Sequence, residues 1–319
     1  MWLVFLDPPL PSDFKEANDV TTLFEATTIP ICEGPRDQTA EILFEMPPGA
    51  WDTHFHVFGP VSSFPYAEHR LYSPPESPLE DYLVLMEALG IERGVCVHPN
   101  VHGADNSVTL DAVARSDGRL LAVIKPHHEM TFVQLRDMKA QGVCGVRFAF
   151  NPQHGSGELD TRLFERMLDW CRDLGWCVKL HFAPAALDGL AERLARVDIP
   201  IIIDHFGRVD TAQGVDQPHF LRLLDLAKLD HVWIKLTGAD RISGSGAPYD
   251  DVVPFAHALA DVAPDRLLWG SDWPHSGYFD PKHIPNDGDL LNLLARFAPD
   301  AELRRKILVD NPQRLFGAA

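Results

Sequence analysis

The sequence is short of positive charge: 28 Lys and Arg stand against 46 Asp and Glu in 319 residues, a formal net charge of -18. Nucleic acids and anionic membrane surfaces are held by clustered Lys and Arg, so neither is expected as a partner. Cysteine is scarce as well. Cys32, Cys96, Cys144, Cys171 and Cys177 are odd in number, form no CxxC pair and fall largely in apolar runs, which argues against a disulfide framework. Buried free thiols in a reducing compartment are the expectation. Long apolar runs are also missing. The opening Met1 to Leu6 is apolar, but Asp7-Pro8-Pro9 interrupts it and no basic stretch precedes it, so it reads as neither export signal nor membrane span, and a cytoplasmic protein is expected. There is no low-complexity tract or short-period repeat.

What is present is an alternation. Residues 1–46 are rich in Pro, Thr and acidic groups without sustained periodicity and read as an arm whose apolar start packs on the body or on a neighbouring subunit; a homodimer is compatible with this. From about residue 47 to 319, eight short β-branched or apolar runs alternate with amphipathic stretches. The runs are Trp51 to Val57, Gly94 to His98, Leu120 to Lys125, Gly142 to Phe148, Cys177 to Phe182, Ile201 to Asp204, His231 to Leu236 and Leu267 to Gly270. Between and after them, stretches such as Leu79 to Leu89, Thr161 to Leu174, Ala185 to Arg196 and Asp287 to Phe297 repeat apolar residues at three and four, and Ala301 to Val309 reads as a closing helix. This pattern predicts an α/β fold, a (β/α)8 TIM barrel with an N-terminal arm, whose active site lies at the carboxyl ends of the strands. An open doubly wound sheet is the alternative, but no Gly-rich phosphate fingerprint follows the first strand.

That first strand ends instead in His54-Phe55-His56. Residues i and i+2 of a strand share a face, so the two imidazoles either pair toward a metal or a polarised oxygen, or are incidental to a half-buried strand. Other polar residues also fall at strand ends: His98 and Asn100, Arg147, His181, Asp204-His205, and Asp272 in Trp269-Gly270-Ser271-Asp272-Trp273-Pro274-His275. Singly, each is more often structural; gathered at one mouth, they mark a site. Histidine nitrogens with a carboxylate suit a zinc-like divalent ion and an acidified water. Asp272 is placed to bind the ion and accept that water's proton, His205 to polarise a carbonyl or help hold the nucleophilic water, and Asp204 to act structurally.

With these motifs, together with Phe64-Pro65-Tyr66, Arg70-Leu71-Tyr72, Gly145-Val146-Arg147-Phe148, Ile203-Asp204-His205-Phe206-Gly207-Arg208 and Asn311-Pro312-Gln313-Arg314-Leu315, the chain from about 47 to 317 resembles the amidohydrolase superfamily. The likeness is to the branch of 2-pyrone-4,6-dicarboxylate lactonases and 4-sulfomuconolactone hydrolases. It implies hydrolysis of a small anionic lactone in aromatic catabolism, with metal-dependent decarboxylation of an aromatic acid and sugar-lactone isomerisation as alternatives on one scaffold. It implies His54, His56, His205 and Asp272 as catalytic residues. Tyr72, Arg147 and Arg241 match substrate-binding groups, and His275, Asn100 and His98 lie close by. Guanidinium forks at Arg147 and Arg241 would reverse the acidic field locally for a carboxylate or sulfonate. Three departures stand out: His181 replaces a tyrosine of the metal-independent lactonase, Asn100 a serine, and Gln153 a second arginine. His181 favours a divalent ion, zinc or manganese, on His54, His56, His181 and Asp272; the alternative is a site that works with none. Gly244-Ser245-Gly246 reads as a flexible loop over the mouth, and Asp105-Asn106 as the cap of the helix after the second strand.

Overall fold

The computed structural model describes residues 29–151 and 158–317. The first 28 residues, with the apolar start of the arm, and Gln153 lie outside them. Eight parallel strands pair in sequence order: β1 (Trp51–Phe55), β2 (Arg93–Val97), β3 (Leu120–Ile124), β4 (Val143–Phe150), β5 (Cys177–Phe182), β6 (Ile201–Ile203), β7 (Val232–Lys235) and β8 (Leu267–Leu268). Backbone bonds from Thr53 N to Trp269 O (3.0 Å), Asp272 N to His54 O (2.8 Å) and His56 N to Trp273 O (2.8 Å) join the segment that follows β8 to β1 and the residue after it. The expected (β/α)8 barrel is therefore the fold.

The helices form where sequence supplies both an apolar stripe and a stop. They are α1 (Leu79–Leu89), α2 (Ser107–Ala114), α3 (Phe132–Lys139), α4 (Thr161–Leu174), α5 (Leu187–Leu194), α6 (Pro218–Ala227), α7 (Ala239–Ile242), α8 (Val253–Val262), α9 (Asp287–Phe297), α10 (Ala301–Arg305) and α11 (Asn311–Phe316). Thr131 and Gln134 close a capping box on α3, and Asp160 and Asn286 cap α4 and α9 through their side chains. Two predicted helices differ. Ala185 to Arg196 is a short 3-10 turn followed by α5. Ala301 to Val309 breaks at Lys306–Asp310, a π-type turn, because Pro312 has no N–H and its ring crowds the carbonyl four residues back.

One buried cluster takes Trp51, Val95, Val97, Val123, Cys144, Cys177, Ile202, Trp233 and Leu268 from the eight strands, and Phe316 of α11 stacks on Trp51 at 6.0 Å. This is the apolar floor, each large side chain contributing about 2–3 kcal/mol by its burial. Above it the interior turns polar. Lys179 on β5 and Lys235 on β7 are fully buried and both donate to Thr53 O, at 2.9 and 2.7 Å. All five cysteines are buried free thiols. No helix among the described residues is long and apolar enough to cross a membrane.

The described part of the arm starts at the loops above the strands, descends along α9 and reaches Glu92 below β2. Cys32 N bonds Ser73 O (3.0 Å), Ser73 N bonds Pro30 O (2.8 Å), and Glu33 N bonds Tyr278 O (2.7 Å). Further on, Asn286 and Asn292 each accept a backbone N–H from the arm, from Ala40 and Leu43, and each donates an amide N–H back, to Gln38 O and Glu41 O. Two asparagines of the α9 region thus do for the arm what a neighbouring strand would do.

Candidate active site

The end of β1 is set by its neighbours. Asp52, fully buried, accepts from Ser271 Oγ (2.6 Å), Ser271 N (3.1 Å), His54 N (2.9 Å) and Tyr82 Oη (3.1 Å), which locks β1 to the segment after β8. That segment passes so close that a Cβ on Gly270 would meet His54 N and Cβ at 2.7 Å, so only glycine fits. Immediately beyond it, Asp272 turns into the left-handed region (φ 63°) and faces both histidines. Its Oδ1 stands 3.7 Å from His54 Nε2, 3.5 Å from His56 Nε2 and 3.9 Å from His205 Nε2.

His205 arrives by a different route. After β6, His205, Phe206, Gly207 and Arg208 all take positive φ, between 52° and 64°. A single left-handed turn of non-glycine residues costs about 1–2 kcal/mol per residue. With about three residues per turn, such a turn aligns positions i and i+3, and both His205 and Arg208 line the cavity. Arg208 was not among the sequence candidates. The signal was the motif Asp204-His205-Phe206-Gly207-Arg208 itself, but its left-handed path cannot be read from residue types. Gly238, between β7 and α7, backs His205: a Cβ there would lie 2.7 Å from His205 Nδ1.

The buried ionisable groups divide into two kinds. Burial by itself raises the Asp272 carboxyl, but His205, the hydrogen bond with His56, and Arg241, whose Nη2 lies 3.4 Å from Oδ2, outweigh it and hold Asp272 well below the carboxylate range. Asp204 behaves alike: burial raises it, and His54 with Lys235 (Nζ to Oδ1, 3.4 Å) overcomes that and keeps it anionic. Arg147 Nε also lies 3.1 Å from Asp204 Oδ2. The histidines go the other way. Burial, with Lys235 nearby, drives His54 well below its usual range, and burial takes His205 down to about 4, so both are neutral near pH 7. Burial pushes Tyr72 up to about 12, against the bond of its hydroxyl with Ser276 Oγ at 2.8 Å, so it stays a neutral phenol.

Tautomers follow from partners. His56 Nδ1 lies 2.7 Å from Val97 O and donates to it, so Nε2, 3.5 Å from Asp272 Oδ1, either donates a proton to that carboxylate or, without the proton, offers a lone pair to an ion. His54 Nδ1 faces Asp204 Oδ1 at 3.4 Å, which leaves Nε2 as a second lone pair aimed at the same carboxylate oxygen. Three acceptors thus converge on one point, and His54 Nε2 is buried without a hydrogen-bond partner. Donors about 2.1 Å from one tetrahedral ion lie roughly 3.4 Å apart, close to the spacing of this set. His54, His56 and Asp272 therefore suit a divalent ion, and His54, Asp204 and His205 make a second close donor group.

The cavity, about 50 Å³, is lined by His56, Tyr72, Asn100, Arg147, His181, His205, Arg208, Arg241, Asp272 and Ser276 together with Pro99. Most sequence-predicted residues come together here. His181 is on the wall, its ring 5.3 Å edge-on from His205, but it belongs to neither close donor group. His98 and His275 are not on the wall. His98 lies against Gly103 O (3.1 Å) and Thr109 Oγ1 (3.3 Å), and burial takes it down to about 3. His275 pairs through Nε2 with Asp287 Oδ1 at 2.9 Å, at the start of α9. Asn106 holds the N-cap position of α2 without capping it; its side chain joins Lys125 N (2.8 Å) and Lys125 O (3.0 Å), while Asp105 accepts from Ser107 N at 3.0 Å. The Gly244-Ser245-Gly246 loop, expected to be flexible, is pinned by Asp251, which accepts from Thr211 Oγ1, Ser243 Oγ, Ser245 Oγ and Gly244 N at 2.6–2.8 Å. A larger cavity, about 810 Å³, lies behind Asp240 and Tyr278 and contains none of the site histidines.

The sequence pattern of amidohydrolases matches residues 51–318. The chain belongs to the amidohydrolase family. Over 289 residues it is 74% identical to the 4-sulfomuconolactone hydrolase of Rhizobium radiobacter, covering 91% of this chain and 97% of that protein. A 4-sulfomuconolactone hydrolase of Hydrogenophaga intermedia is 64% identical over 288 residues, covering 90% and 95%. A crystal structure from Acinetobacter baumannii, described as a probable 2-pyrone-4,6-dicarboxylic acid hydrolase with citric acid bound, superposes with a TM-score of 0.74 at 29% identity, covering 84% of this chain and 99% of that one. In this amidohydrolase, the matched span begins at Trp51, where β1 begins.

Proposed function

We propose that this amidohydrolase opens an anionic lactone of the 4-sulfomuconolactone or pyrone dicarboxylate kind, in aromatic catabolism. The reading is carried by one convergence: neutral imidazoles around the anionic Asp272, with Arg147, Arg208 and Arg241 lining the same cavity of a chain whose net charge is -18. The three guanidiniums, with Tyr72 and Asn100, supply the local positive field and the planar donors that carboxylates and sulfonates require. His54, His56 and Asp272, with His181 beside them, are the proposed holders of a divalent ion, zinc or manganese. Such an ion, when bound, polarises the ester carbonyl and acidifies water.

The chain's own residues do the rest. Asp272 takes a proton from the attacking water as its oxygen bonds the carbonyl carbon. His205 has no acceptor for its Nδ1, so its proton sits on Nε2, the nitrogen that faces Asp272 and donates to the carbonyl oxygen as charge grows there. The ring ester C–O bond then breaks, the proton on Asp272 passes to the leaving oxygen, and the new carboxylic acid releases the water's second proton to solvent to become a carboxylate. Asp204, fixed by Arg147 and Lys235, holds the His54 ring from behind. The test is turnover of 4-sulfomuconolactone and 2-pyrone-4,6-dicarboxylate by purified protein, before and after chelation and reloading with zinc or manganese. Hydrolysis of at least one is expected, with activity lost on chelation and restored by metal; no lactone turnover in any state overturns the reading. Metal content below about 0.1 ion per chain in active, unchelated protein removes the ion from the reading.

A further inference from the structure

Arg241 is gripped from behind by two residues outside the catalytic cavity. Asp240 Oδ2 accepts the Tyr278 hydroxyl at 2.6 Å and stands 3.4 Å from Arg241 Nε. The Arg241 guanidinium lies over the Tyr278 ring, 4.5 Å from its centroid. Its other end, Nη2, donates to Ser276 O at 3.1 Å and reaches Asp272 Oδ2 at 3.4 Å. Edge and face are thus fixed together, and a guanidinium held in one plane offers a fork that a planar carboxylate or a sulfonate edge can read. Asp240 and Tyr278 form the partition between the catalytic cavity's wall and the larger cavity. The Asp240 side chain is 2% exposed, and its Oδ1 is buried with no hydrogen-bond partner. The Glu33 N–H on Tyr278 O ties the arm to the same partition.

We infer that Asp240 and Tyr278 are positioning residues that fix the plane of Arg241 for the substrate's anionic group, an assignment that rests on the lactone-hydrolase reading. Their removal weakens substrate capture and leaves the chemical step largely intact. Steady-state kinetics on 4-sulfomuconolactone and calorimetric titration with citrate test this on the full chain. For Asp240→Asn the KM and the citrate Kd rise about tenfold, the loss expected for a misaligned charged hydrogen bond, while kcat changes less than about threefold. Tyr278→Phe, which keeps the ring and loses the hydroxyl, gives a smaller shift in the same direction and serves as the second variant if Asp240→Asn does not fold. In an Arg241→Met background, Asp240→Asn adds nothing further, because its effect runs through Arg241. Unchanged KM and citrate affinity in both variants, with the unmodified protein active, overturn the inference alone, as does an equal effect of Asp240→Asn with and without Arg241. Citrate binding that weakens in the variants of a protein with no lactone turnover overturns the proposed reaction and leaves the positioning of Arg241 standing. A protein that neither binds citrate nor opens a lactone overturns both.

Discussion

Two sets of polar side chains at the barrel mouth are held in opposite ways. Beside β2 and β3, His98 and Asn106 spend their polar atoms on the scaffold: His98 lies against Gly103 O and Thr109 Oγ1, and Asn106 joins both backbone groups of Lys125. Around β1 and β6, His54 Nε2 and His205 Nδ1 are buried without hydrogen-bond partners. In the same region, His205, Phe206, Arg208 and Asp272 take left-handed backbone. Unsatisfied polar atoms and strained backbone persist only where surrounding structure over-determines them. The contrast teaches that a histidine at a strand end is not informative by position; what it is bonded to decides whether it builds the barrel or does chemistry.

Substitutions in each set can break this contrast. The largest effect is expected at Asp272. Asp272→Asn keeps the shape and removes the anion, and steady-state assays should show kcat falling by about 10² or more with the fold intact by circular dichroism; a loss below tenfold would place the proton acceptor elsewhere. Asn106→Ala probes the other set. It strands the N–H and C=O of Lys125, so chemical denaturation should show a loss of about 2–3 kcal/mol while kcat/KM moves less than about threefold. Activity collapsing in a folded Asn106→Ala protein would erase the distinction between the two sets.

The smallest effect sharpens the contrast in the loop beyond β7. Burial raises the Asp251 carboxyl, but the bonds from Ser243, Thr211 and Ser245 outweigh it and bring it down to about 2. A carboxyl depressed in the folded state contributes stability above its unfolded value, near 4, and loses it as pH falls toward 2. Asp251→Asn should therefore cost about 1–2 kcal/mol at pH 7, after allowance for its partial exposure, and the gap to the unmodified protein should narrow below pH 4 in melts followed by fluorescence. A gap that is constant with pH would mean that the carboxylate charge does not hold the loop.

The barrel was legible because eight short β-branched or apolar runs alternating with period-three-to-four stretches admit few other solutions, and the mouth followed from strand direction. His54, His56, His205 and Asp272 converge as their strand ends predict. The rest depended on backbone direction, which residue types do not encode. Arg208 enters the cavity through a left-handed turn. His275, φ 59°, swings instead to Asp287, and the bonds of His98 turn it into the loop. The loop at Gly244 looked mobile by composition because its anchor, Asp251, lies outside the Gly-Ser stretch and acts through side-chain oxygens.

The arm closes a different kind of gap. Residues 30–33 bond Ser73, next to Tyr72, and Tyr278, beneath Arg241, which belong to the loops after the first and last strands. Those loops flank the seam where the barrel's beginning meets its end, and there the arm works as a staple across two edges. A unit cut for transplantation or circular permutation should therefore begin before Pro30, since a barrel trimmed to its first strand would keep Asp272 and its histidines and lose the fastening of the wall that carries Tyr72 and Arg241.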